Sequence, residues 1–251
     1  MSFTSFALRA HEDRKQMGRA AAQSAARTIR DAVDQRGSAR MIAASAPSQL
    51  DVYRALAEEP DMPWDRVTVF HMDEYLGLDI AAPQRFANWL IEHFVGRVNP
   101  QHFHPMRTES EDRGMGEYVD LLRAAPVDLV CLGIGVNGHI AFNEPPHADL
   151  DDAKPARIIE LDHVSRVQQV DDECFATLED VPTQALTLTI PTLMAAAHLV
   201  CAVPGPQKAA AVRALVEEPV GADWPCTVLR RHGRCEVHVD REAAALLGST
   251  A

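Results

Sequence analysis

Two short segments of the sequence carry side chains that can move protons. The segment FHMDEYLGL contains the adjacent acids Asp73 and Glu74, and the segment LGIGVNGHIAFNEP contains His139 and Glu144. Carboxylates and imidazole are common general acids and bases in enzymes, and imidazole titrates near neutrality. Their types and spacing indicate acid–base catalysis, whereas Glu74 and its neighbour Tyr75 are expected to be hydrogen-bonded scaffold.

The glycines of the second segment also fit the dinucleotide-binding fingerprint G-x-G-x-x-G, and Glu160 follows at a suitable spacing. That fingerprint requires a helix that begins at the glycines, but Pro145 and Pro146 follow too closely for a long helix. We therefore expect Gly135 and Gly138 to shape a loop whose backbone approaches a ligand closely. On these residues alone, an ordinary strand-to-loop turn with a surface histidine remains an alternative.

Other kinds of catalytic site lack their sequence signatures. A serine nucleophile would need an elbow such as G-x-S-x-G, which the sequence does not contain. Eleven histidines make metal ligation conceivable, yet no H-E-x-x-H pairing is present. We expect neither a catalytic metal nor an organic cofactor.

The composition narrows the class of protein and of partner. The 251 residues are 47% hydrophobic and 24% charged, which is typical of a globular protein, and the formal net charge is -12. Such a charge disfavours nucleic acids and anionic membranes as partners, and no apolar run is long enough to span a bilayer. Five cysteines without CxxC spacing indicate reduced thiols, and we expect a cytoplasmic protein that binds a small molecule.

The elements that must position the acid–base residues alternate between strands and helices. Apolar periodicity predicts helices at residues 10–36, 49–59, 85–98, 112–125 and 206–218. Short apolar runs predict strands at residues 39–45, 66–73, 127–135, 156–162, 197–204 and 235–240. The secondary structure of residues 184–196 is ambiguous, and one interpretation is a strand that leads into a helix at Pro191. Ser48 resembles a helix N-cap.

This alternation predicts an α/β fold, a single-domain Rossmann-like three-layer sandwich over residues 1–251 with a mostly parallel central sheet. Ligands of such sheets bind at the carboxyl ends of the strands. Three chemically rich segments, HMDEY, GIGVNGHIAFNEP and PGPQK, each follow a predicted strand. Their convergence at one edge favours a functional site over an ordinary turn.

The two motifs together resemble those of the glucosamine-6-phosphate deaminase (isomerase) family. The similarity extends over nearly the whole chain and includes QALTLTIPTL, PGPQKAAAVRALVE and PCTVLRRH. The related 6-phosphogluconolactonases share the fold and the G-x-G-x-x-G-H segment. They typically have D-E-R in place of DEY and a leucine-phenylalanine-proline ending in place of FNEP, so the sequence is similar to the deaminase version of both motifs.

The resemblance implies a role for each acid–base residue. His139 matches the ring-opening acid/base of a cyclic 2-amino sugar phosphate, and Glu144 matches the carboxylate that orients it. Asn137 occupies a position that some members fill with aspartate, and it can fix the orientation of the histidine. Asp73 matches the base that moves a proton from C2 to C1, which leads to an enolamine that loses ammonia and leaves a ketose phosphate. The resemblance implies no metal or organic cofactor.

The region that binds the sugar phosphate departs from the family pattern. Ser45 and Ser48 align with the two threonines of a T-G-G-T-P-like loop, but Ala46 and Pro47 replace its glycines. Lys208 matches the phosphate lysine of the family.

A second phosphate ligand of the family is an arginine, and an ungapped comparison places Asp171 near its position. Arg166 lies one turn away and is a candidate substitute.

From the resemblance as a whole, the expected activity is deamination and isomerisation of an amino-sugar phosphate. Alternatives are the same reaction on an amino sugar with a different C6 group, a 6-phosphogluconolactonase, or a non-catalytic sugar-binding regulator. We expect a monomer or small homo-oligomer.

Overall fold

A seven-stranded parallel sheet forms the centre of the protein. The structure is a computed structural model that describes residues 5–108 and 111–248. Its strands are β1 (Ser5–His11), β2 (Ala39–Ala43), β3 (Val67–His71), β5 (His102–His104), β6 (Leu129–Leu132), β9 (His198–Val203) and β10 (Arg234–Asp240). They are hydrogen-bonded in the order β1-β10-β9-β6-β2-β3-β5, and each pair is parallel.

Helices cover both faces of this sheet. They are α1 (Arg14–Arg36), α2 (Leu50–Ala57), α3 (Phe86–Leu90), α4 (Gly96–Val98), α5 (Glu111–Arg123), α6 (His163–Asp171), α7 (Ile190–Met194) and α8 (Ala209–Glu217). Side chains alternate along each strand, so Met41 packs with α1 and α2 on one face, whereas Ile42 packs with α5 and α8 on the other. The three-layer α/β fold with a mostly parallel sheet is confirmed.

A second, antiparallel sheet lies beside the first. It contains β4 (Asp73–Tyr75), β8 (Gln184–Leu188) and β7 (Ala156–Glu160) in that order. The predicted strand at residues 66–73 is therefore divided at Met72, whose carbonyl accepts a hydrogen bond from Leu188 N at 2.8 Å. We propose that both sheets belong to one domain, because Leu186 and Leu188 of β8 join the apolar cluster on the central sheet.

Other differences from the predicted elements involve short or capped segments. Strand β1 and helix α6 were not predicted, and β5 has three residues, too few for a periodic signal. Helix α1 begins after Asp13, which accepts a hydrogen bond from Gln16 N at 2.8 Å, so the predicted start at Ala10 is wrong. Residues 184–196 form a strand followed by a helix with Pro191 in its first turn, as one interpretation had it.

The predicted N-cap at Ser48 is wrong. Pro47–Gln49 forms a 3₁₀ turn that leads directly into α2, and neither start has a side-chain capping bond. The hydroxyl of Ser48 instead accepts a hydrogen bond from Gln49 Nε2 at 3.3 Å.

All five cysteines are unpaired thiols. Over residues 5–108 and 111–248, no helix has the length and apolar character needed to cross a membrane. The same residues contain no group of three or more histidine, cysteine and acidic side chains that could hold a metal ion.

Candidate active site

A cavity of about 420 Å³ lies at the carboxyl ends of β2, β3, β6 and β9. Its lining includes Ser45 after β2, Asp73 after β3, Gly133 and His139 after β6, and Lys208 after β9. This volume is within the usual range for small-molecule sites. The predicted convergence of three segments at one edge of the sheet is confirmed.

The imidazole of His139 is held by the carboxylate of Glu144. His139 Nδ1 lies 3.1 Å from Glu144 Oε1 and 3.2 Å from Oε2. A carboxylate at Nδ1 fixes the orientation of the ring and leaves Nε2 as the nitrogen able to exchange a proton with a ligand. This pairing is the arrangement expected of a histidine acid/base.

Two further side chains complete this cluster. Asn137 Nδ2 donates to Glu144 Oε2 at 2.7 Å, and Asn137 Oδ1 accepts from His139 N at 3.2 Å. Ser165, at the start of α6, donates to Glu144 Oε1, and its Oγ lies 3.1 Å from His139 Nδ1. The sequence analysis missed Ser165, since it comes from an unpredicted helix.

The hydrogen bonds determine the protonation of Glu144. Burial alone would raise the pKa of Glu144, but the nearby charge of His139 and the hydrogen bonds from His139, Ser165 and Asn137 outweigh it, so the net pKa is lowered. The Glu144 carboxylate therefore stays ionised at neutral pH and can stabilise a protonated His139.

The glycines around His139 have different roles. Gly135 lines the cavity, and a Cβ at this position would lie 2.2 Å from the His139 ring, so only glycine leaves room for the imidazole. Gly138 has φ +84 and packs against Trp224 instead of lining the cavity. The expectation that Gly138 binds substrate is therefore corrected to a packing and turn-forming role. The next helix after these glycines, α6, begins only at His163.

Asp73 contributes the second carboxylate of the cavity. It is 7% exposed and lies on β4, opposite Thr187 of β8. Burial raises the pKa of Asp73 well above its usual range, and the charge of Glu74 adds to the effect. A raised pKa makes a carboxylate a stronger base once it is ionised, which suits proton abstraction from carbon.

Glu74 is scaffold, as predicted. Its carboxylate is fully buried and accepts hydrogen bonds from Tyr75 N at 3.0 Å, Phe86 N at 2.9 Å and Ala87 N at 3.1 Å. These bonds join β4 to the start of α3 and thereby fix the backbone on which Asp73 lies. The hydroxyl of Tyr75 is likewise buried and donates to Gln169 Oε1 at 2.7 Å.

The lining of the cavity also includes the polar residues Ser45, Ser48 and Lys208. Lys208 is 5% exposed, and burial lowers its pKa to about 8, although the charge of Asp172 opposes this shift. The hydroxyl of Ser45 is buried without a hydrogen-bond partner among the described residues. A buried ammonium and an unpaired hydroxyl that line one cavity are suited to an anionic or strongly polar group of a ligand.

The charged residues in and just after helix α6 do not lie where the ungapped comparison with the family places them. Asp172, one residue after the predicted Asp171, lines the cavity, and Asp171 does not. Arg166 does not line the cavity either, because its guanidinium donates to the carbonyls of Leu178 at 2.6 Å and Val181 at 3.0 Å. The hypothesis that Arg166 binds the substrate is therefore corrected: it holds the loop after α6.

The fold and the site define an α/β protein with an acid–base cavity, and comparison with known proteins identifies the family. The model of the family Glucosamine-6-phosphate isomerases/6-phosphogluconolactonase matches residues 12–238. A glucosamine-6-phosphate deaminase of Exiguobacterium sibiricum is 35% identical over 210 residues, which cover 83% of this chain and 81% of that protein. One of Streptococcus pneumoniae is 32% identical over 206 residues, covering 81% and 86%. The chain belongs to this family.

Comparison with solved structures identifies the same fold. A monomeric glucosamine-6-phosphate deaminase is similar with a TM-score of 0.86 and 26% identity, covering 96% of this chain and 99% of that one. A 6-phosphogluconolactonase of Thermotoga maritima has a TM-score of 0.76 at 16% identity, covering 94% and 100%. At this lower identity the likeness shows the fold alone.

Proposed function

We propose that this protein converts glucosamine 6-phosphate and water to fructose 6-phosphate and ammonia. The observation that carries the proposal is that Asp73 and the His139–Glu144 pair line one cavity. Relatives that are 32–38% identical are glucosamine-6-phosphate deaminases, which supports the same reaction here.

His139 opens the sugar ring. With Nδ1 held by Glu144, the Nε2 atom relays a proton from the O1 hydroxyl to the ring oxygen O5 as the C1–O5 bond breaks. The ionised Glu144 stabilises the imidazolium that forms during this relay. The product is an open-chain aldehyde, whose carbonyl makes the C2 proton acidic.

Asp73 then moves the C2 proton. Removal of this proton, together with transfer of a proton from the substrate ammonium to the carbonyl oxygen O1, gives an enolamine, and return of the C2 proton to C1 gives a protonated ketimine at C2. Water adds to the ketimine, and ammonia leaves to give the ketose. One buried carboxylate suffices for both proton transfers, because C1 and C2 are adjacent.

Ser45, Ser48 and Lys208 bind the phosphate at C6 in this proposal. Asp172 is the observation that favours a second candidate, the same reaction on an amino sugar whose C6 group is uncharged, because an acid in the cavity repels phosphate.

Ammonia release from amino sugars with and without a 6-phosphate tests the proposal. Release from glucosamine 6-phosphate in preference to glucosamine is expected, and a preference for glucosamine would establish the second candidate. Hydrolysis of 6-phosphogluconolactone without ammonia release from any amino sugar would indicate a lactonase. Binding of sugar without turnover would indicate a regulator. A monomer or small homo-oligomer, a cytoplasmic location and a reaction without metal or organic cofactor remain predictions.

A further inference from the structure

The cavity has a second cation, which comes from the start of helix α1. Arg14 lines the cavity together with Ser45, Pro47, Ser48 and Lys208. Neither the catalytic cluster nor the motifs of the sequence analysis involve this arginine.

The contact between helices α1 and α2 places Arg14 at the cavity. Gly18 packs so closely on α2 that a Cβ would lie 2.7 Å from Asp51 Cβ. Residues four apart lie on the same face of a helix, so Arg14 lies one turn before this contact, next to Asp51 and the turn that begins at Pro47. A larger residue at position 18 would push the two helices apart and withdraw the guanidinium from the cavity.

The guanidinium is oriented by two bonds on one side. Arg14 Nε donates to Asp51 Oδ2, and Nη2 donates to the carbonyl of Pro47. Nη1 has no hydrogen-bond partner within residues 5–108 and 111–248. Because the side chain is 44% exposed, its remaining N–H groups are accessible to a ligand. Arginine has five donors in a rigid fork, and such a fork matches the oxygens of a phosphate.

A phosphate at this end of the cavity needs an additional cation. Pro47 has no N–H to donate, and Asp172 contributes a negative charge. The described lining of the cavity also includes the cation Lys208 and Ser45, whose buried hydroxyl lacks a partner among the described residues. We propose that Arg14 is a substrate-binding residue whose guanidinium binds the 6-phosphate of the amino sugar together with Lys208. This inference rests on the proposed function, since it assigns the group that recognises its C6 phosphate.

Inorganic phosphate is the probe that tests Arg14 independently of turnover. Its binding is measured by calorimetry and by competitive inhibition of ammonia release. Arg14→Gln should weaken phosphate binding and raise KM for glucosamine 6-phosphate by about ten-fold, with kcat/KM for glucosamine little changed. Arg14→Lys keeps the charge without the fork and should lie between the wild type and Arg14→Gln.

Asp51→Asn is the matched control, because it breaks the same ion pair and keeps Arg14. If Arg14 binds phosphate, loss of the Asp51 charge leaves phosphate affinity unchanged or higher. Equal weakening by Arg14→Gln and Asp51→Asn would mean that Arg14 only holds the turn, and the inference would be overturned. It would also be overturned if the wild type did not bind phosphate.

The outcome of this test is separate from that of the proposed function. A wild type that binds phosphate through Arg14 but releases no ammonia from any amino sugar would disprove the activity and retain the phosphate site. Melting temperatures of the variants establish that each one folds.

Discussion

The Nδ1 atom of His139 lies 3.1 Å from Oε1 of Glu144, and this contact orients the imidazole toward the cavity. If it serves ring opening, His139→Gln should be slow on the cyclic sugar, with a loss of about a hundred-fold or more, as expected for general acid–base catalysis. Ammonia release is measured with and without EDTA. The wild-type rate should not respond to the chelator. Inactivation by EDTA and recovery with zinc would contradict this role.

Asp73→Asn should abolish ammonia release and also stabilise the protein. An amide cannot accept the C2 proton, so the rate should fall about a hundred-fold or more. Because burial raises the pKa of Asp73, its negative charge destabilises the folded state at pH values above the usual pKa of a carboxyl group. The amide of the variant removes this charge. The variant should therefore melt at a higher temperature than the wild type at pH 8, with a smaller difference at pH 4.

Deuterium exchange separates the two effects of Asp73→Asn. Incorporation of solvent deuterium at C2 or C1 should stop in the variant. Exchange that continues at the wild-type rate would refute the assignment of Asp73 as the base.

Ser165→Ala should move the acid limb of the activity profile to higher pH. The Ser165 hydroxyl donates to Glu144 and is one of the groups that keep the pKa of this carboxylate low. Without it the pKa of Glu144 rises, so the carboxylate that supports His139 is protonated at a higher pH. The measurement is kcat/KM from pH 4 to pH 8. A uniform decrease at every pH would instead indicate a purely structural role for Ser165.

Asp172→Asn should lower KM for glucosamine 6-phosphate roughly two- to five-fold, as expected for a partly exposed charge. Loss of the carboxylate removes its repulsion of the phosphate. Since Asp172 raises the pKa of Lys208, which burial lowers to about 8, the comparison belongs at a pH near 6, well below that pKa. Asp171→Asn is the control, because Asp171 does not line the cavity. An equal effect of both variants would exclude a local role for Asp172.

The contribution of His198 and His238 to stability should fall as the pH is lowered from about 6.5 to about 4. Burial and the neighbouring charge of Arg234 lower the pKa of His198 to about 4, and burial and His11 lower the pKa of His238 to about 4. In this window the unfolded chain binds protons that the folded protein does not, so unfolding becomes easier as the pH falls.

The slope of melting temperature against pH measures this linkage. His198→Gln should reduce the slope between pH 6.5 and pH 4. An unaltered slope in His198→Gln would show that His198 does not titrate in the expected way.

The sequence predicts those parts of the fold and the site that are encoded locally. The strands of the central sheet and the segment from Gly135 to Glu144 have strong local signals, because a histidine and its carboxylate lie within one loop. Lys208 follows a strand directly and is predictable for the same reason. These residues line the cavity or support a residue that does.

Contacts between distant segments account for what the sequence analysis missed. Asp73 lies on a separate strand because β4 pairs with β8, more than 100 residues later in the chain. Ser165 reaches Glu144 from a helix whose pattern is weak, and Arg14 reaches the cavity only through the packing of α1 on α2. No local pattern encodes such pairings, since they depend on how complete elements pack against each other.

The contact of Gly18 with Asp51 has a consequence for how this protein can acquire new substrates. If Arg14 binds the C6 phosphate, this contact ties part of C6 recognition to two helices that carry neither Asp73 nor His139. Substitutions on α1 or in the turn after β2 are then expected to change the preference for the C6 group without altering Asp73 or His139. These positions are therefore a rational choice for directed evolution toward amino sugars with other C6 groups.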